Sequence, residues 1–162
     1  MANGTELKNY RTKIMTALIN DPMICSLLLN RTITDTDDAD MQEELLNGHI
    51  FSYSFVPSVQ DEQKSYITFE ISSKKAKKFE TRKGMRLVFS VFSHHAIIRD
   101  KRTNYLKTDL LDERIQHLFN ENKDFGIGNM YCIEDNPLRF TDSHYGRQLV
   151  FVVSEIAVSR CD

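Results

Sequence analysis

Between Met85 and Met130 the chain changes periodicity twice, and this alternation restricts the folds open to it more than any other segment. Met85-Arg-Leu-Val-Phe-Ser-Val-Phe-Ser93 reads as a strand, with Leu87, Phe89 and Val91 on one face and Val88, Ser90 and Phe92 on the other. After the polar Arg99–Asn104 stretch, residues 108–119 place Leu111, Ile115, Leu118 and Phe119 on one helical stripe. Phe125-Gly-Ile-Gly128 then turns the chain sharply into another apolar run. The unit reads strand, helix, strand. Both faces of Leu87–Phe92 are apolar, so this strand needs cover on two sides. Helices can supply one side; the other calls for an element of this chain or of a neighbouring subunit.

The flanking segments extend the pattern. Leu7, Tyr10, Ile14, Ala17 and Leu18 predict an amphipathic helix over about 5–19. Asp21 and Pro22 suit the N-cap and first position of a second helix through Leu29. A short helix is expected at about 38–46, with Gly48 as its C′ residue. His49–Val56 alternates weakly and reads as an edge or entry strand ending at Pro57. From Ser65, Tyr66, Thr68 and Glu70 alternate with Ile67, Phe69 and Ile71; a basic connector follows over Ser72–Gly84. A strand at Tyr131–Ile133 is broken by Asn136-Pro137, and Gly146–Ile156 supplies the last long strand. Helices first, then mostly hairpin-linked strands interrupted by one helix, predict a single α+β domain over 1–162. Its sheet should be mostly antiparallel and flanked by helices.

The 41% hydrophobic and 27% charged residues are ordinary for a globular chain, and the formal charge of −2 gives no global pull toward nucleic acid. Cys25, Cys132 and Cys161 lack CxxC spacing, so neither a disulfide framework nor a zinc site is indicated. Cys25 and Cys132 read as small buried hydrophobes. The start of the chain lacks the pattern of a signal peptide, and no run reaches the roughly 20 apolar residues a bilayer requires, so folding in a cytoplasm is expected.

Candidate chemistry is thin. Asp35, Asp37, Asp38 and Asp40 invite a calcium reading, but an EF-hand counted from Asp35 meets Ala39, Asp40 and Leu46 at its fifth, sixth and twelfth positions. An exposed loop favouring the start of a helix explains them better. Asp61, Glu70 and Lys74 loosely resemble a metal-dependent nuclease, which needs carboxylates and a lysine converging on a divalent ion. His94-His95 should point to opposite faces of an extended chain, and Ser143-His144 beside Asp142 lacks a nucleophile elbow. Phe125-Gly-Ile-Gly128 lacks the third glycine and following helix of a dinucleotide fingerprint. The strongest charge asymmetry is Lys74, Lys75, Lys77, Lys78, Arg82, Lys83 and Arg86, which could meet an acidic protein surface, or nucleic acid, or simply be a solvated hairpin arm.

In order and length, residues 7–156 resemble the neck and tail-terminator (head–tail joining) proteins of tailed bacteriophages. The likeness lies in Tyr10–Pro22, Leu87–Phe92, Thr108–Asn120, Phe125–Gly128 and Gly146–Val153. It implies a non-enzymatic virion subunit without cofactor or metal, assembled in the host bacterial cytoplasm. It further implies a homo-oligomeric, usually sixfold (homo-hexamer) ring touching tail-tube and neck or connector proteins, with DNA in its lumen as a passing contact. No membrane or small-molecule substrate is implied. The interface it points to pairs Lys74, Lys75, Lys77, Lys78, Arg82 and Lys83 with Asp35, Asp37, Asp38 and Glu43 of the adjacent subunit. A tail terminator is the first expectation. Another neck component, stopper or adaptor, is the alternative, and a nuclease using Asp61, Glu70 and Lys74 a more distant one.

Overall fold

Leu87, Phe89 and Val91 do sit in the core, at the centre of a five-stranded sheet over which the helices pack. The computed structural model describes residues 4–57, 62–74, 84–122 and 129–154. Among them are helices α1 (Gly4–Ile19), α2 (Pro22–Leu29), α3 (Ala39–Gly48) and α4 (Lys107–Phe119). The strands are β1 (Ile50–Phe51), β2 (Ser65–Lys74), β3 (Gly84–His94), β4 (Met130–Arg139) and β5 (His144–Ser154). They lie in the order β1-β2-β3-β5-β4; β1 runs parallel to β2 and every other pairing is antiparallel. The chain is α+β, as its periodicities require.

Local chemistry starts and stops these elements. Asp21 accepts a hydrogen bond from Ile24 N at 3.0 Å and Pro22 opens α2, which ends at Asn30 in the left-handed region (φ 54°). α1 and α2 meet at a 76° bend, and no single described helix is long and apolar enough to cross a membrane. Phe69, Phe89, Phe119 and Phe151 are fully buried between sheet and helices, with Phe89 5.1 Å from Phe119 and 5.7 Å from Phe151 by ring centroids. Burying each such ring contributes about 1.5–3 kcal/mol.

The second face of β3 is covered from within the chain. Phe92 is fully buried there, stacked 4.3 Å from Phe140 and 5.1 Å from Tyr66, with His144 at 6.2 Å. Gly146 lies opposite Phe92, where a Cβ would come 1.8 Å from the Val91 carbonyl oxygen.

Several boundaries depart from expectation. Gly48 ends α3 from inside the helix; His49 follows as the cap, its N–H bonding Leu45 O. Only Ile50–Phe51 of the expected 49–56 strand joins the sheet. The Ser72–Gly84 connector is shorter than expected, because Ser72, Ser73 and Lys74 extend β2 and pair with Arg86, Met85 and Gly84. β4 runs straight through Asn136-Pro137 to Arg139, with a bulge between Cys132 and Glu134. As an edge strand it can turn the N–H-less proline nitrogen outward. Cys25 is fully buried, its thiol pushed up to about 11 by burial and then by Asp21, whereas Cys132 is only half-buried. Cys161 and Phe125–Gly128 lie outside the described residues.

Candidate assembly surface

The acidic stretch is built by its own backbone needs. Asp35 Oδ1 accepts from Asp37 N at 2.9 Å, and Asp38 caps α3 through Asp40 N at 3.0 Å and Met41 N at 3.3 Å. Beside them Glu44 binds Arg31 in a two-pronged pair, 2.8 Å at its shorter contact. That bond holds the Glu44 carboxyl below its ordinary pKa. Asp35, Asp37, Asp38 and Glu43 are all exposed, so the stretch presents negative charge to solvent.

Of the basic arm, Lys75, Lys77, Lys78, Arg82 and Lys83 lie outside the described residues, as does Asp61. Lys74 ends β2 opposite Gly84, and Arg86 is exposed on β3. Glu70 is exposed with its Oε1 accepting from Ser54 N at 3.1 Å. Among the described residues, no group of three or more His, Cys, Asp or Glu side chains could hold a metal ion.

The histidines depart from a simple extended-chain reading. The chain turns after His94, so the His94 and His95 rings stack at 4.4 Å instead of pointing apart. His144 opens β5 and is fully buried; Thr141 Oγ1 is 2.9 Å and Ser143 Oγ 3.3 Å from its Nδ1. Asp142 pairs with Arg139 at 3.0 Å, so no Ser–His–Asp relay forms. Burial keeps the His144 pKa below its ordinary value, against an opposing pull from the Glu62 carbonyl.

Two polar groups escaped sequence reading because tertiary packing alone creates them. Arg147 Nε lies 2.8 Å from Asp135 and 2.9 Å from Asp112, and Gln116 donates to Asp112 at 2.7 Å. This network seams α4 to β4 and β5. Burial raises the Asp112 carboxyl to about 6, and neighbouring Asp135 adds to the rise. Lys107 is 1% exposed, and its ammonium donates to Asn30 Oδ1 at 2.7 Å. Its partner Asn30 lines a surface cleft of about 490 Å³ together with Ser26, Asp100 and Arg102.

Large apolar side chains are exposed on β4 and the start of β5, where Tyr131, Ile133, Leu138 and Tyr145 are 38–55% exposed, and also away from this edge at Tyr53, Val56 and Tyr105. The chain from the start of α2 to the end of β5, residues 21–153, matches the YomW family. This chain is a member of the YomW family. The family is named after a gene in a Bacillus phage region, which makes the chain phage-associated. The matched stretch holds the whole sheet and leaves out α1, so the YomW unit is the sheet with α2, α3 and α4. No curated protein matches the chain.

Proposed function

We propose that this YomW-family chain is a structural virion protein of the head–tail junction, a tail terminator that forms a ring closing the tail tube and joining it to the head connector. The family match over residues 21–153 carries the reading, because it ties the sheet-bearing part of the chain to phage. The architecture supports it. Helices bury one face of the sheet, while exposed apolar groups and an acidic loop lie outside the core. In this reading the subunits form a sixfold ring in the host cytoplasm and enter the virion with tail-tube and neck proteins on either side. DNA passes through the lumen, and the protein catalyses no reaction.

Native mass spectrometry of the purified chain, alone and with tail tubes, should give a closed species of about six copies. Inactivating its gene in the phage should leave heads and tails unjoined. Normal, infectious particles without the protein would overturn the reading. Immunogold labelling separates the neck roles: a terminator marks free tails, whereas a stopper or adaptor marks free heads.

A further inference from the structure

The sheet has two unlike open edges. β1 pairs with Ile67 and Thr68 of β2, and in this parallel ladder the Phe51–Thr68 pairing also takes the Phe69 N–H, so from Glu70 to Lys74 the outer edge of β2 has no strand partner among the described residues. On the other side, Asn120 and Glu121 cover the start of β4: Cys132 N donates to Asn120 Oδ1 at 2.9 Å, and Glu121 N donates to Met130 O at 2.6 Å. From Glu134 to Arg139 the outer edge of β4 is likewise without a strand among the described residues. The two stretches are nearly equal in length.

The outward-facing backbone groups can be identified. Ile67 N donates outward to His49 O at 2.8 Å, so alternation turns the backbone groups of Ile71 and Ser73 outward too, beyond the Phe69 N–H that β1 takes. On β4, Cys132 faces outward and the bulge shifts the phase, which turns Asp135, Pro137 and Arg139 outward.

We propose that the free edge of β4 pairs antiparallel with the free edge of β2 in a second copy of this chain, placing Ile71 opposite Pro137 and Ser73 opposite Asp135. This register keeps each sheet face continuous, and only the Pro137 pair lacks a donor. It sets Lys74 opposite Glu134 and Ser72 opposite Asn136. The corresponding parallel pairing would instead set Glu70 against Glu134, two like charges. Strand direction agrees. β2 and β4 run oppositely within one subunit, so antiparallel pairing across the junction leaves every β2 pointing the same way. Copies can then be related by rotation about an axis along the strands, and unlike edges joined in this way close into a ring when that rotation divides a full turn. The contact rests on the ring reading above and names its interface.

Ser72→Cys with Asn136→Cys in one chain tests it, since the two positions form a close non-hydrogen-bonded pair across the junction. Mild oxidation should give a ladder of covalent oligomers on denaturing gels, at least tenfold above the native chain treated alike. Ser72→Cys with Leu138→Cys, two residues out of register, should give little. Lys74→Glu and Glu134→Lys should each lower the ring fraction in native mass spectrometry, and the double exchange should restore it. Rings that form without the ladder and without charge rescue would overturn this interface while leaving the ring reading intact. If no oligomer forms at any concentration or with tail tubes, both fail.

Discussion

Asp21 is held by Arg114 in a nearly buried ion pair, 2.7 Å from Nη2 and 2.8 Å from Nε, while its other oxygen caps α2 through Ile24 N. One carboxylate therefore both starts α2 and ties it to α4. Removing it loses a cap and leaves the Arg114 charge without its partner. Asp21→Ala should cost about 2–4 kcal/mol, and Asp21→Asn, which keeps the cap, about half of that. Urea titration of the two variants checks the order. Equal losses would show that the ion pair contributes nothing.

Acidification pulls stability in two directions. Burial lowers the pKa values of His49 and His144, so their contribution is full above about 6.5 and is lost as pH falls below it. Asp112 has the opposite sign: raised from 3.8 to about 6, it contributes fully below 3.8 and loses that contribution as pH rises toward 6. Asp112→Asn removes the compensating group. Relative to the native chain, it should gain about 2–3 kcal/mol between pH 4 and pH 7. Denaturant melts at several pH values would show the two stability curves diverging; parallel curves would refute the assignment.

Lys107 allows packing to be separated from charge. Lys107→Met keeps the buried stem and removes the desolvated ammonium, so stability should change by no more than about 1 kcal/mol. Lys107→Ala should cost about 2–4 kcal/mol through lost packing. If calorimetry finds the methionine variant as damaged as the alanine one, the bond to Asn30 dominates.

Two glycines should answer alanine in opposite ways. At Gly146 the new methyl would meet the Val91 carbonyl at 1.8 Å, and both strands are backbone there, so neither yields cheaply. Gly146→Ala should cost about 3 kcal/mol or more. At Gly48 the nearest atom is the Lys64 ammonium at 3.9 Å, and Gly48 is helical, so Gly48→Ala should stabilise by about 0.5 kcal/mol. Thermal melts of both decide it.

The helices and the three central strands were legible because periodicity and cap chemistry are local: Asp21-Pro22 opens α2, and the alternation of Ile67, Phe69 and Ile71 marks β2. β4 is longer than its local sequence suggests, because Pro137 breaks a strand only where its nitrogen must donate to the sheet, and nothing local shows that β4 lies at an edge. Gly48 has the local chemistry of a residue just past a helix, yet it ends α3 from inside. Nothing local marks Lys107 or His144 for burial; only the packing of distant segments buries them. The acidic candidates proved partly self-explanatory, with Asp35 and Asp38 satisfying nearby N–H groups. The Asp112–Arg147–Asp135 seam needs three separate elements to exist, so no spacing rule could have found it.

Pro137 also decides which associations stay closed to this chain. Two β4 edges meeting across a twofold axis would each present their proline to the other, so a symmetric dimer forfeits a donor from both copies in any register that uses Asp135–Arg139. A contact between unlike edges meets the same defect once. The residue that looked like an interruption thus handicaps the dead-end pair and leaves the free edge for a partner with every N–H intact.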